Sequence, residues 1–182
     1  SSIFRSQLPQ MKKVKFNVET QSLGETGTPI MITQSEYMRR MKEMANIQAG
    51  MSFYGEMPDM FNLVLNVDHK LVKQVLNDAD NSCKAALEPI ETEMTSLNKR
   101  HDELHKAQEG KKADEIPQAE KDELNDVEKK LADEKTKKEA VLGEYAGGNK
   151  VIRQLIDLAL LQNNMLKGEA LTNFVKRSIE LI

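Results

Sequence analysis

The chain has 182 residues, 30% of them charged, a net charge of −3 and a single cysteine, Cys83. That is room for one domain or two small ones. The near balance of charge gives no electrostatic case for nucleic acid or an anionic membrane surface, one Cys excludes an intrachain disulfide, and no apolar run approaches the length of a bilayer-spanning helix.

The opening, SSIFRSQLPQ, has no initiator Met and no signal peptide. It reads as cut rather than begun, with Ile3, Phe4 and Leu8 short of neighbours to pack on, so a piece of a longer protein is expected. A lone Cys suits a reducing cytosol, hence an expected cytoplasmic location with Cys83 a passive small side chain. KVKFNVET (13–20) alternates strictly, Val14, Phe16 and Val18 against Lys13, Lys15, Asn17 and Glu19. That is a half-buried strand. GETGTP (24–29) is a loop, and PIMIT (29–33) a second strand expected to run antiparallel to the first. Thr33 or Ser35 then caps a helix reaching about Gln48, with Gly50 just beyond its end. FNLVLN (61–66) is a third strand. Asp68 is expected to cap a short helix burying Leu71, Val72, Val75 and Leu76.

From about residue 81 the chain becomes densely charged, and no aromatic occurs between Phe61 and Tyr145. A period survives. Leu87, Ile90, Met94, Leu97, His101 and Leu104 step by threes and fours, as do Leu124, Val127, Leu131, Glu134, Lys138 and Val141. With QEGKKADEIP (108–117) between them, the two runs predict an antiparallel helical hairpin with a thin apolar seam and arms roughly 40 Å long. Glu134 and Lys138 in the second seam predict a loosely held distal part. Disorder is the alternative for a segment this polar.

After AGGN (146–149) the chain reads as two helices, the first capped by Asn149 and the pair joined near Lys167–Gly168. Val151, Ile152, Leu155, Ile156, Leu158, Ala159, Leu160 and Leu161 make the first apolar almost all round. Leu171, Phe174, Val175, Ile179, Leu181 and Ile182 stripe the second. A helix apolar all round needs cover on several sides. The preceding 80 residues can cover one face, so a two-fold dimer is expected, with Ile152, Leu155, Ile156, Leu158, Ala159, Leu161, Leu171, Phe174, Val175 and Ile179 at its interface and a four-helix bundle between subunits. The alternative is that both helices complete a monomeric core.

FNLVLNVDHKLVKQVL (61–76), VIRQLIDLALLQNNML (151–166) and ALTNFVKRSIELI (170–182) carry a resemblance. In order and spacing the chain resembles the carboxy-terminal domain of the ninety-kilodalton heat-shock chaperones, in their bacterial form, over roughly residues 1–80 and 148–182. The resemblance implies a homodimerisation and client-binding domain of an ATP-driven chaperone that assists folding. ATP binding and hydrolysis would belong to upstream domains absent here, so the chain itself would be no enzyme and take no cofactor. The ending SIELI lacks the acidic tail of cytosolic eukaryotic members, which favours a bacterial source. Residues 82–147 depart from the family's usual short link and read as a hairpin insertion within a 1–182 domain.

Six of the ten methionines lie between residues 35 and 60, at 38, 41, 44, 51, 57 and 60. Unbranched, polarizable Met side chains repack around varied apolar partners, which suits a promiscuous binder; the bland reading is ordinary core. In similar family members the corresponding helix contacts unfolded clients. By that resemblance Tyr37, Met38, Met41 and Met44 are the client-binding candidates, with Met51, Phe53, Tyr54 and Met57 in second place and Met60 core in either case. His101 and His105 in HDELH lie one helical turn apart, but the sequence offers no third ligand, so no metal site is expected. Cys83 has no nearby His, and catalysis finds no support. The expected fold is α+β: a small three-stranded mixed sheet with packed helices, the long inserted hairpin and the terminal pair. The expected partners are a second copy and unfolded clients, with neither nucleic acid nor membrane. The rival class is a structural adaptor that presents the hairpin to a protein partner.

Overall fold

The computed structural model describes residues 1–45, 57–110 and 116–180. A short helix α1 (Ser2–Arg5) precedes strands β1 (Val14–Gln21) and β2 (Ile30–Gln34), helix α2 (Glu36–Ala45) and strand β3 (Asp59–Asn66). Four helices follow: α3 (Lys70–Gln108), α4 (Gln118–Gly148), α5 (Lys150–Gln162) and α6 (Glu169–Glu180).

The fold is α+β, and the sheet is mixed and three-stranded, as the sequence implies, but its order is β1-β3-β2. β1 pairs β3 in parallel, Phe16 beside Phe61, and β2 pairs β3 antiparallel. β2 therefore runs antiparallel to β1, as expected, but the two strands are not neighbours, because β3 lies between them. FNLVLN is the reason. Leu63, Val64 and Leu65 are all buried, a continuous apolar run that fits a central strand covered on both faces better than an edge. Val18, Ile30, Ile32, Leu63 and Leu65 point into one core with Val75, Ala79, Ala146, Ile152, Leu155, Ile156, Ala159 and Leu160. Ile3 and Phe4 belong to that core, Phe4 fully buried. Their expected isolation is overturned because α1 docks beside α4: the Gln7 side chain reaches the Gly143 carbonyl, and Arg153 donates to Gln7 at 3.1 Å.

The short helix expected after residue 68 and the first hairpin arm are one element, α3, 39 residues and about 58 Å long. It runs through Pro89, which removes one backbone hydrogen bond from its interior. Its cap is not Asp68. His69 Nδ1 accepts from the Leu71 N–H at 3.2 Å, while Asp68 accepts from Ser22 and from the Gly24 N–H. The helical hairpin is present, with Leu87, Leu97, Leu104 and Val127 buried along its seam. Its polar stretch lies midway and not at the tip. Lys138 spans the arms to Glu91 at 2.6 Å, and Leu97, Leu104 and Val127 form a second, distal core with Leu124 and Leu131. α4 ends at Asn149, whose Oδ1 caps α5 by accepting from the Val151 and Ile152 N–H groups. Asn164 and Gly168, both at positive φ, turn the chain from α5 into α6. Positive φ is a conformation Gly adopts without strain and Asn tolerates.

Candidate functional site

Among the described residues, all the exposed large apolar side chains but Leu23 gather on two surfaces. The first is α2. Glu36 and Glu43 bind Arg39, and Glu36 also binds Arg40 at 2.8 Å. The hydrogen bonds from Arg39 and Arg40 hold the exposed Glu36 carboxyl down at about 2. These pairs form a charged side of the helix. On the inner side Lys42 reaches Asp59 at 2.7 Å. Met38, Lys42, Met57 and Met60 line a small depression there with Gln34 and Asp59. Met38, Met41 and Met57 are half-buried, and Ala45 is buried. Tyr37 and Met44 point outward, 66% and 46% exposed. Met60, expected in the core, is also exposed, because it alternates away from Phe61 at the start of β3. Met51, Phe53 and Tyr54 lie outside the described residues.

The second surface is the terminal pair. Ile152, Leu155, Ile156 and Ala159 face inward and are buried in the chain's own core. Leu161, Leu171 and Phe174 pack partly against that core. Leu158 is 39%, Val175 48% and Ile179 70% exposed. α6 buries no residue at all, although Leu171, Phe174, Val175 and Ile179 recur at the spacing of one helical face. Its seat on α5 is polar. Arg177 pairs with Asp157, both largely shielded from solvent, Lys150 reaches Glu180 at 2.7 Å, and Gln154 donates to Ser178. These contacts fix which side of α6 is presented.

A third feature sits where the arms meet the body. Tyr145 donates to Asp78 at 2.8 Å and accepts from Asn149. Burial, with help from the Asp78 carboxylate, pushes the Tyr145 phenol up to about 12. Cys83 is buried beside them, and burial raises its thiol. A thiol held protonated is a poor nucleophile, in keeping with the passive role read from the sequence. On the hairpin, Glu128 of α4 faces His101 and His105 of α3, one nitrogen or oxygen atom from each lying within 4.8 Å of the others. Among the described residues no helix is long and apolar enough to cross a membrane.

The chain is similar along its length to relatives described as chaperone protein HtpG. It is 71% identical to that of Bacteroides fragilis and 68% to that of Bacteroides thetaiotaomicron, each over the whole chain. It is 44% identical to that of Porphyromonas gingivalis over 99% of the chain. The chain spans about 27% of the two Bacteroides proteins and 26% of the third, a match to their C-terminal region. The hairpin falls inside all three matches, so residues 82–147 are shared with these relatives and do not depart from them. No protein-family model and no solved structure matches the chain.

Proposed function

We propose that this chain, a counterpart of the C-terminal region of the HtpG chaperones, is the part that joins two subunits and holds unfolded clients. The observation that carries this reading is α6: an amphipathic helix with no fully buried residue, only Leu171 and Phe174 packing partly on the chain's own core, that leaves Val175 and Ile179 in water. Leu158 on the neighbouring α5 extends the same kind of surface. A second copy placed by a two-fold axis covers such a stripe with itself, which gives a four-helix arrangement of two α5–α6 pairs. The residues that α5 buries at home leave the intersubunit role to Leu158, Leu161, Leu171, Phe174, Val175 and Ile179.

Tyr37, Met41 and Met44 on α2 are the proposed client contacts, with Met38 and Met57 beside them. Their apolar, flexible side chains suit partners without a fixed shape. Dimerisation places two such faces on one particle, so weak contacts sum. ATP turnover falls to the remainder of the longer protein, and this region takes no cofactor in that role. A cytoplasmic setting accords with a chain that has a single cysteine. The test uses the full-length chaperone carrying Val175→Glu and Ile179→Glu. Suppression of aggregation of a heat-unfolded client is expected to fall to near the level without chaperone, helical circular dichroism being kept. Undiminished suppression by a monomeric variant would sink the reading.

A further inference from the structure

His101 and His105 stand on successive turns of α3, their ring centroids 4.5 Å apart. Glu128 approaches from α4, its Oε1 3.7 Å from His101 Nε2. One ligand atom from each of the three residues lies within 4.8 Å of the others. We propose that His101, His105 and Glu128 hold a divalent transition-metal ion, Zn²⁺ by preference, that clips the two hairpin arms together.

Two imidazoles and one carboxylate are a donor set that suits zinc, with water in the fourth position. Ca²⁺ and Mg²⁺ favour sites built from oxygen alone, so the two imidazoles select a transition metal. On a tetrahedral zinc at ~2.0–2.1 Å, ligand atoms lie about 3.3 Å from one another. His101 and Glu128 are close to that span already. His105 and Glu128 are exposed and His101 is half-buried, so rotation of side chains closes the set without moving either helix.

The surroundings agree. The other nitrogen of His101, Nδ1, faces Asp102 Oδ1 at 3.7 Å. That carboxylate is within reach of a small side-chain rotation that would let it accept from Nδ1–H and orient the imidazole for a metal at Nε2. The adjacent cation, Arg100, is drawn to Glu103 and Glu123. The place also makes sense for a clip. The distal core beside it has only Leu97, Leu104 and Val127 buried, with Leu124 and Leu131 partly so. One ion spanning α3 and α4 adds a cross-link where apolar packing is thin.

The experiment is calorimetric titration of Zn²⁺ into the whole, tag-free chain, beside His105→Gln and Glu128→Gln. Both substitutions are at exposed positions, and thermal melting without metal checks that each variant folds as the parent does. The expected result is one Zn²⁺ per chain, a melting temperature raised by the ion, and affinity at least roughly tenfold weaker in either variant. Absence of saturable uptake would overturn the proposal and leave His101 and Glu128 as plain neighbours across the two arms. Uptake unchanged by Glu128→Gln would overturn it too, because the ion would then not bridge the arms.

Discussion

Asn66 carries more of the architecture than its single position in β3 implies. It is fully buried, the one buried polar residue among those described. Its Oδ1 accepts from the Leu23 and Asp68 N–H groups, and its Nδ2 donates to the Gly24 carbonyl at 2.8 Å. Asp68 then accepts from the Gly24 N–H at 3.0 Å. The loop after β1 is thus held against the end of β3 by two side chains two residues apart. Replacing Asn66 with Ala leaves three partly buried backbone polar groups without their side-chain partner. A loss of about 1–3 kcal/mol is expected, read from the denaturant midpoint at unchanged slope. A midpoint within error of the parent's would mean that water satisfies those groups. The same pair shows what residue type alone conceals. Asp68 is a fitting cap by composition, yet it is used by the loop, and His69 caps α3 instead. Two adjacent acceptors compete for one helix end, and only the fold decides between them.

At the scale of elements, α2 holds the sharper test. Tyr37 and Met44 are the exposed members of its apolar face, whereas Met38 and Met41 are partly committed to packing. The double change Tyr37→Glu, Met44→Glu therefore separates binding from folding. Helical circular dichroism and melting temperature are expected to stay near the parent's, within about 0.5 kcal/mol for surface positions. Client protection by the full-length protein is expected to fall severalfold. A cooperative loss of stability in the double variant would instead identify both side chains as core. Periodicity made several elements legible: the alternation of Val14, Phe16 and Val18 for β1, the 3–4 spacing of both hairpin arms, and Asn149 ahead of α5. Neighbour relations were not legible. A strand's pattern records which face is buried but not which strand lies beside it, so the parallel β1–β3 pairing stayed hidden. Glu128 stayed hidden for the same reason: it is 23 residues or more from either His and meets them only through the register of two helices.

At the scale of the molecule, the question is what covers the outer side of the terminal helices. The sequence showed that α5 is apolar almost all round, and the structure divides that surface. Ile152, Leu155, Ile156, Ala159 and Leu160 serve the chain's own core, which also takes in Phe4 from the opening helix. Leu158, Val175 and Ile179 remain outside. How much of an all-round apolar helix is used at home depends on what the rest of the chain brings to it, and α1 was invisible as a partner until folded. The fixed polar seat of α6 on α5, through Arg177–Asp157 and Lys150–Glu180, keeps the outer stripe in one orientation and so suits one defined partner surface. The most direct measurement is the molar mass of this chain by sedimentation equilibrium from nanomolar to micromolar concentration, beside the Val175→Glu, Ile179→Glu variant. A dimer for the parent across that range and a folded monomer for the variant are expected. A parent that stays monomeric throughout would contradict the assignment of these helices to the joining of subunits.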